Sequence, residues 1–361
     1  MRTGTAKLPL HRGAAPAWLF SRMTKLAREI ITLMVIEFGP QEVLKKLADP
    51  YWFQALGCVL GFDWHSSGLT TTTTGAIKEG IKEIQSELGL FACGGKGATS
   101  RRTPDEIRVN ADRCALSTDA EKLVYASRMA AKVDSAAVQD GFQIYHHAFF
   151  FDKHGNWAVV QQGMNETSGM ARRYHWLSSA VESFVVEPHT AVESEGKADG
   201  AILNMVAREA EDNRLVSAQI ASERPEKIIR EIEHLRELSL PKRHNVTLED
   251  ISPCYLSKIL VKTYERRPRD FEQLLGIEGV GAKTIRALAM IGDLVYGAPV
   301  SRRDPAAYSF AHGGKDGTPY PVDRRGYDRS IEIVKKAVEQ AKLGNTETAQ
   351  AIKRLARFYE F

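Results

Sequence analysis

The chain has 361 residues, of which 43% are hydrophobic and 26% are charged, and a formal net charge of +4. This is the composition of a soluble globular protein with room for roughly two or three domains, and its mild basicity is compatible with a nucleic-acid partner. The apolar run at residues 30–36 is too short for a membrane span, and no apolar signal-peptide core follows the first residues. The four cysteines are scattered without a Cys-x-x-Cys pair, which argues against a zinc or iron–sulfur site. We therefore expect a cytoplasmic protein with no membrane partner.

The first part of the chain has a helical pattern. Apolar residues recur at helical spacing over residues 16–60, and Gly39-Pro40 is expected to separate two helices. Beyond them the sequence predicts a hydroxyl-rich loop at 61–75, a helix at 76–88, a flexible basic loop at 91–104, a helix start at Thr103 and a helix at 119–139.

The basic loop contains Gly94-Gly95-Lys96-Gly97. This run lacks the spacing of a Walker phosphate loop, and no Gly-Lys-Ser/Thr follows it, so we expect neither a bound nucleotide nor ATP hydrolysis. Lys96 and Arg101 are instead expected to touch a nucleic-acid strand.

Two strands are predicted at 142–151 and 157–162, joined as a hairpin by the turn at 152–156. Side chains alternate between the two faces of a strand, so His146 and His147 should lie on opposite faces. The same rule separates Gln161 from Gln162.

The segment 134–176 is the candidate catalytic region because several polar residue types converge there. A nuclease needs carboxylates or histidines to hold a metal or activate water, and cations to neutralise the phosphate. The segment supplies Asp134 and Asp140 as metal ligands or bases, His146 or His147 as a ligand or proton shuttle, Gln161 or Gln162, Arg172 or Arg173 for the phosphate, and His175. The metal would be Mg²⁺ or Mn²⁺, with no haem. In the alternative interpretation the aspartates end helices, His146 bonds to backbone and the arginines are solvated.

Residues 187–200 are polar and aperiodic, which indicates a linker or exposed loop. A long charged helix is predicted at 201–238 with a break at Pro225, and it could be a dimer contact or a spacer. The predicted domains are a candidate catalytic α/β domain at 1–186, the linker and charged helix at 187–245, and an all-helical domain at 246–361. The predicted class is α+β, with a hairpin-containing sheet in the first domain.

Residues 274–288 resemble a helix–hairpin–helix motif, which grips the DNA phosphate backbone without reading bases. Gly279-Val280-Gly281 would form the hairpin, with both glycines free to take positive φ, and a second helix would begin at Ala282. Amides at that helix start favour an anion, and Lys283 and Thr284 would add donors. Val280 and Ile277 would pack into the core. Such contacts carry no sequence information, so the expected partner is DNA of any sequence.

The segment after the hairpin resembles base-excision glycosylases of the helix–hairpin–helix class. These enzymes have an aspartate about twenty residues beyond the hairpin, after an aromatic-Gly-x-Pro, and this chain has Tyr296-Gly297-Ala298-Pro299 followed by Asp304. Lys283 lies where lyase-type members have their lysine. The resemblance implies a glycosylase or lyase as an alternative to the nuclease. A non-catalytic DNA-binding or partner-recruiting protein is a third possibility.

The chain as a whole resembles an uncharacterised, mostly archaeal group, domain-of-unknown-function family 763. The resemblance covers nearly the full length and rests on residues 2–11, 61–65, 132–135, 145–147, 161–165, 173–176 and 310–315. The resemblance implies a thermophilic or archaeal setting, but it does not imply any particular activity.

Overall fold

The computed structural model of the protein describes residue 8 and residues 15–62, 66–113, 116–194, 202–237 and 253–306. The motif at 310–315, most of the motifs at 2–11 and 61–65, the predicted boundary at 245 and the end of the predicted third domain lie outside the described residues. The described part combines helices with antiparallel sheets, which confirms the α+β class. None of the described helices combines the length and the apolar character that a bilayer crossing demands.

Helices precede the sheet, as predicted. They are α1 Ala17–Phe38, α2 Pro40–Leu47, α3 Pro50–Leu60, α4 Gly68–Ile81 and the short α5 Gln85–Leu88. Gly39, at φ +81°, separates α1 from α2, and Pro40 begins α2 at a position where its missing N–H costs nothing. Asp49 caps α3, since its carboxylate accepts hydrogen bonds from the amides of Tyr51 and Trp52.

The main sheet has five antiparallel strands in the order β1-β3-β4-β5-β6. The strands are β1 Leu90–Lys96, β2 Val138–Gln139, β3 Gln143–Asp152, β4 Trp157–Asn165, β5 Met170–Leu177, β6 Ala191–Glu193 and β7 Leu203–Asn204, of which β2 and β7 form a separate pair. The predicted hairpin of β3 and β4 is confirmed. Asp152 closes its turn by accepting hydrogen bonds from the amides of His154 and Asn156.

The remaining helices lie on the other side of the sheet, except for the short α6 Ala98–Arg101, which follows the end of β1. The others are α7 Thr103–Arg113, α8 Ala120–Lys132, α9 Glu211–Ala221, α10 Pro225–Glu237, α11 Pro253–Arg266, α12 Phe271–Gly276 and α13 Ala282–Leu294. A wider, π-type turn at Val133–Ala137 follows α8. The predicted helix starts at Thr103 and at Ala282 are both confirmed.

Two apolar cores sandwich the sheet. Ala148, Phe150 and Val160 pack against α1–α4. Phe149, Phe151 and Trp176 pack against α8 and, through the same cluster, against residues of α9–α13 such as Leu274 and Leu288. The sheet is therefore buried on both faces, and helices from before and after the sheet enclose it as a three-layer structure.

A β-bulge interrupts β3 at Tyr145. Ile144 pairs with Gly163 and His146 pairs with Gln162, so Tyr145 is the extra residue on its strand. Ile144 packs against the α8 side, whereas His146 contacts α4 on the other side. Without the bulge, residues two apart would share a face.

Two predicted loops are regular elements, and both predictions were wrong for those residues. The hydroxyl-rich stretch becomes α4 from Gly68 onward, and Thr70, Thr73 and Thr74 lie buried on its inner face. Packing overrides the low helix propensity of threonine and glycine there. The glycine-rich basic stretch is β1, where a Cβ on Gly94 would lie 2.2 Å from the His147 carbonyl oxygen, so this glycine permits close strand contact.

Two further predictions need correction. The aperiodic stretch at 187–200 contributes β6, an edge strand of the sheet whose three residues are buried. The strand β5 was not predicted from the sequence. The single charged helix at 201–238 consists of β7, α9 and α10, with the predicted break at Pro225 confirmed. Arg214 inside α9 is buried and donates to the carbonyls of Met205 and Ala207, so the charges of this segment are not all solvated.

Candidate functional site

One row of polar side chains crosses all five strands of the main sheet. Register pairs Lys96 with His146, His146 with Gln162, Gln162 with Arg173, and Arg173 with Glu193. Paired residues share a face, so this row faces α1–α4. Four of its five members were singled out from the sequence, namely Lys96, His146, Gln162 and Arg173. Glu193 was missed because a short strand within an aperiodic segment gives no signal.

Three buried members of this polar row, His146, Gln162 and Arg173, contact the helical layer. His146 Nε2 lies 3.0 Å from Thr74 Oγ1, and Gln162 Nε2 donates to the Ser67 carbonyl at 2.9 Å. Arg173 donates to Gln54, stacks over Phe53 with its guanidinium 4.8 Å from the ring centroid, and lies 3.0 Å from Glu193. Burial lowers the pKa of His146 to about 3, which makes its imidazole neutral at pH 7.

The next row on the sheet faces the opposite layer. It contains His147 and Gln161, which confirms that each adjacent pair divides between the two faces. His147 Nδ1 lies 2.8 Å from Gln161 Oε1, and its Nε2 lies 2.8 Å from Ser127 Oγ. A hydroxyl, an imidazole and an amide in this order correspond to a catalytic nucleophile, its general base and the group that orients the base. Ser127 and His147 are only 2% and 4% exposed, so neither is accessible to a substrate here.

Asp134 is the centre of the hydrogen bonds on this side. Its carboxylate accepts hydrogen bonds from Gln161, from Trp176 Nε1 at 3.0 Å and from His189 Nε2 at 2.5 Å. The ring of His189 also packs edge-on against Trp176. Sequence reasoning missed His189, which lies outside the strands in a polar connection with no recognisable pattern.

Asp140 belongs to a separate ion-pair group. It accepts hydrogen bonds from Arg172 Nη1 and the Tyr174 hydroxyl, both at 2.8 Å. Arg172 also binds Asp304 through both of its terminal nitrogens and stacks over Phe142. Burial raises the pKa of the Asp140 carboxyl, and Arg172 and Tyr174 act against that increase.

The two aspartates do not fit a divalent cation. Nitrogen and hydroxyl donors, including the guanidinium of Arg172 on Asp140, surround their oxygens, whereas Mg²⁺ or Mn²⁺ needs those oxygens for itself. Nowhere in the described part of the chain do three His, Cys, Asp or Glu side chains come together in a way that could hold a metal ion. His175, the remaining predicted residue, is buried with Nδ1 3.0 Å from the Leu47 carbonyl.

The turn between α12 and α13 is fixed from inside by a lysine of α8. Lys132 Nζ donates to the carbonyls of Leu275, Ile277 and Val280 at 2.7, 2.6 and 3.2 Å. The Val280 side chain is 3% exposed, as its predicted place in the core requires. The side-chain amide of Gln139 also contacts the turn by donating a hydrogen bond to the Ala282 carbonyl at 2.9 Å.

The outer side of this turn is open. Gly279 takes φ +91°, as expected, whereas Gly281 is extended at φ −140°, where any residue fits. A Cβ on Gly281 would meet no atom within 4 Å, and Gly281 provides no side-chain cap to the first amides of α13. Lys283 is exposed, but Thr284 is 2% exposed and does not present its hydroxyl beside that lysine.

Lys96 and Arg101, predicted to touch a nucleic-acid strand, are both exposed. Lys96 lies at the end of the polar row, with its ammonium 5.6 Å from the centroid of the Tyr145 ring. Arg101 ends α6 just beyond it.

The comparisons with known proteins give a family without an assigned activity. No curated protein and no solved structure matches the chain. The family model described as "Protein of unknown function (DUF763)" matches residues 4–322. The match covers both the sheet with its polar row and the turn between α12 and α13, so the chain belongs to the DUF763 family.

Proposed function

We propose that this protein binds nucleic acid through the phosphate backbone, at the turn between α12 and α13, and that this turn is a helix–hairpin–helix. The observation that carries the proposal is the division of the turn into two sides. Lys132 and the core hold the carbonyls and Val280 on the inner side. Gly281 leaves open space on the outer side, at the amino end of α13.

That outer side has the chemistry of a phosphate site. The first amides of a helix have no intrahelical acceptor, and the helix dipole favours an anion there. A bare glycine lets a phosphate oxygen approach the amides closely, and the exposed ammonium of Lys283 adds charge. Rigid support matters because a preorganised site loses less entropy on binding.

The nuclease and glycosylase alternatives have less support. The carboxylates and histidines proposed for metal-assisted cleavage are buried and bound to protein donors. Asp304, the proposed glycosylase residue, is held in an ion pair with the buried Arg172. The proposal is therefore a nucleic-acid-binding role, with binding to duplex DNA expected to be independent of sequence and sensitive to salt.

Fluorescence anisotropy with a labelled DNA duplex tests the proposal. Gly281→Glu places a carboxylate at the phosphate position and should weaken binding more than about tenfold, whereas Gly281→Ala should not. Ile36→Glu adds the same charge on α1, where residue 36 is 70% exposed, and serves as the matched control. Equal DNA affinity of Gly281→Glu and the control would contradict a role for the hairpin in DNA binding.

A further inference from the structure

A cleft of about 480 Å³ lies between α4 and the carboxyl end of β1, on the α1–α4 face of the sheet. Its floor is apolar and comprises Phe20, Ala92, Ala148 and Phe150. Its rim carries the hydroxyls of Thr71 and Thr99, the ammonium groups of Lys78 and Lys96, and the carboxylate of Glu79, which lies 3.5 Å from Lys82. This volume is in the range of small-ligand sites, and an apolar base with a few polar rim groups is their usual composition.

The two rim lysines differ in how their charge is used. Lys78 lies 2.7 Å from Glu106 and donates to the Gly94 carbonyl at 2.8 Å, so it holds the glycine segment on α4. Lys96 is exposed and forms no ion pair with any described residue. Arg101 and Arg102 follow it and are also exposed. Because the Glu79 carboxylate is paired with Lys82, Lys96 and the two arginines leave this side of the cleft with an excess of positive charge.

The lining of this cleft suits a ligand that joins a flat ring to an anion. Phe20 is the accessible ring, since it is partly exposed while Phe150 is 1% exposed. Aromatic platforms next to cations are how proteins hold single-stranded nucleic acid, with bases stacked on rings and phosphates on Lys or Arg. A lone phosphate would leave the apolar floor unused, and a purely apolar ligand would leave Lys96 unused.

We infer that this cleft binds one unstacked base of a single-stranded nucleic acid, with the base against Phe20 and the adjoining phosphate on Lys96. The inference rests on the proposed nucleic-acid-binding function and adds a second site on the face of the sheet opposite to Lys132 and the hairpin. Duplex would be bound at the hairpin, and an unpaired base would be bound here.

Two variants test the cleft without replacing residues of the hydrophobic core. Gly75 lines the cleft within α4, and a Cβ on it would lie 3.6 Å from the Phe20 ring, so Gly75→Leu fills the space. Lys96→Ala removes the phosphate partner. Gly75→Leu should weaken binding of labelled oligothymidylate by about tenfold, the size of one base stack, and Lys96→Ala should weaken it through the loss of one phosphate contact. Neither variant should change duplex binding. Lys96→Ala should also reduce the salt dependence of single-strand binding by about one phosphate contact.

Matched controls are Gly75→Ala, which adds a methyl group at van der Waals distance from Phe20, and Lys25→Ala, which removes an exposed lysine of α1 that does not line the cleft. Unchanged oligothymidylate affinity in both Gly75→Leu and Lys96→Ala would overturn the inference. The hairpin proposal would still stand if Gly281→Glu lost duplex binding in the same experiment. Should Gly75→Leu fail to fold, Lys96→Ala decides by itself, because its side chain is exposed. Equal competition by free thymidine monophosphate and by the oligonucleotide would also contradict a strand site.

Discussion

Arg172 and Asp304 are joined by two parallel hydrogen bonds, Nη1 to Oδ1 at 2.8 Å and Nη2 to Oδ2 at 3.0 Å. They lie 132 positions apart in the chain, one on β5 and the other beyond α13. The guanidinium is fully buried and also binds Asp140. This bidentate pair fastens the segment after α13 to the sheet.

Replacing Asp304 should therefore reduce stability. Asp304→Ala leaves Arg172 with one of its two carboxylates, and we expect a loss of about 2–4 kcal/mol in the free energy of unfolding, measured by urea denaturation. Asp304→Asn keeps an acceptor oxygen and should cost less. A variant of Asp304 with the stability of the parent protein would contradict this structural role and return the residue to the glycosylase alternative.

Removing the Lys132 ammonium should loosen the hairpin. Lys132→Met keeps a similar length but removes three hydrogen bonds to backbone carbonyls, for an expected loss of about 1–3 kcal/mol. Amide hydrogen exchange should accelerate over residues 275–282, and duplex affinity should fall. Lys122→Met, on an exposed position of α8, is the control. Unaltered exchange in this turn would show that the core alone fixes it.

The two hairpin glycines should respond differently to alanine. Gly279 has positive φ, and a Cβ there would lie 2.5 Å from Ile259 Cδ1, so Gly279→Ala should destabilise the protein by about 1–3 kcal/mol. Gly281→Ala meets open space in an extended conformation and should change stability by less than about 0.5 kcal/mol. Thermal unfolding of the pair gives the comparison, and equal losses would contradict the assigned turn geometry.

Stability should fall with acid because neutral histidines are buried. Burial lowers the pKa of His146 to about 3 and also lowers that of His147. The unfolded chain binds these protons near pH 6.5 and the folded chain does not. The contribution of these histidines to stability is therefore complete above about pH 6.5 and is lost as the pH falls, down to about pH 3 for His146. The slope is up to roughly 1.4 kcal/mol per pH unit for each histidine. His146→Gln should flatten the curve, and a curve identical to that of the parent would exclude His146 as a cause.

Local patterns in the sequence predicted the local structure well. Alternation assigned His146 and His147 to opposite faces, and glycines marked the turn before Ala282. Long-range packing was harder to infer. Thr70 lies in a run with weak helical propensity, yet its buried hydroxyl donates to Gln162, and the helix is stabilised by packing on the sheet.

The candidate site was predictable in composition but not in arrangement. The adjacent pairs of polar residues in the sequence do lie on strands of the sheet, but the register between strands decides which polar residues contact one another. Asp134 binds His189, and Asp140 binds an arginine shared with Asp304. Contacts between residues so far apart in the chain leave no periodic pattern in the sequence. In the folded protein, residues of types common in active sites are engaged in hydrogen bonds and ion pairs that join the layers.

The bulge at Tyr145 gives one strand two consecutive side chains that contact the same layer. The Tyr145 hydroxyl accepts a hydrogen bond from Gln162, and His146 lies 3.0 Å from Thr74, so both reach the polar row on the α1–α4 side. Deleting residue 145 would restore regular alternation, because Ile144 would directly precede His146 and would keep both its partner Gly163 and its place on the α8 side. Related chains should therefore tolerate the loss of residue 145 far better than an insertion or deletion between residues 147 and 151, which would exchange the faces of the strand residues before it.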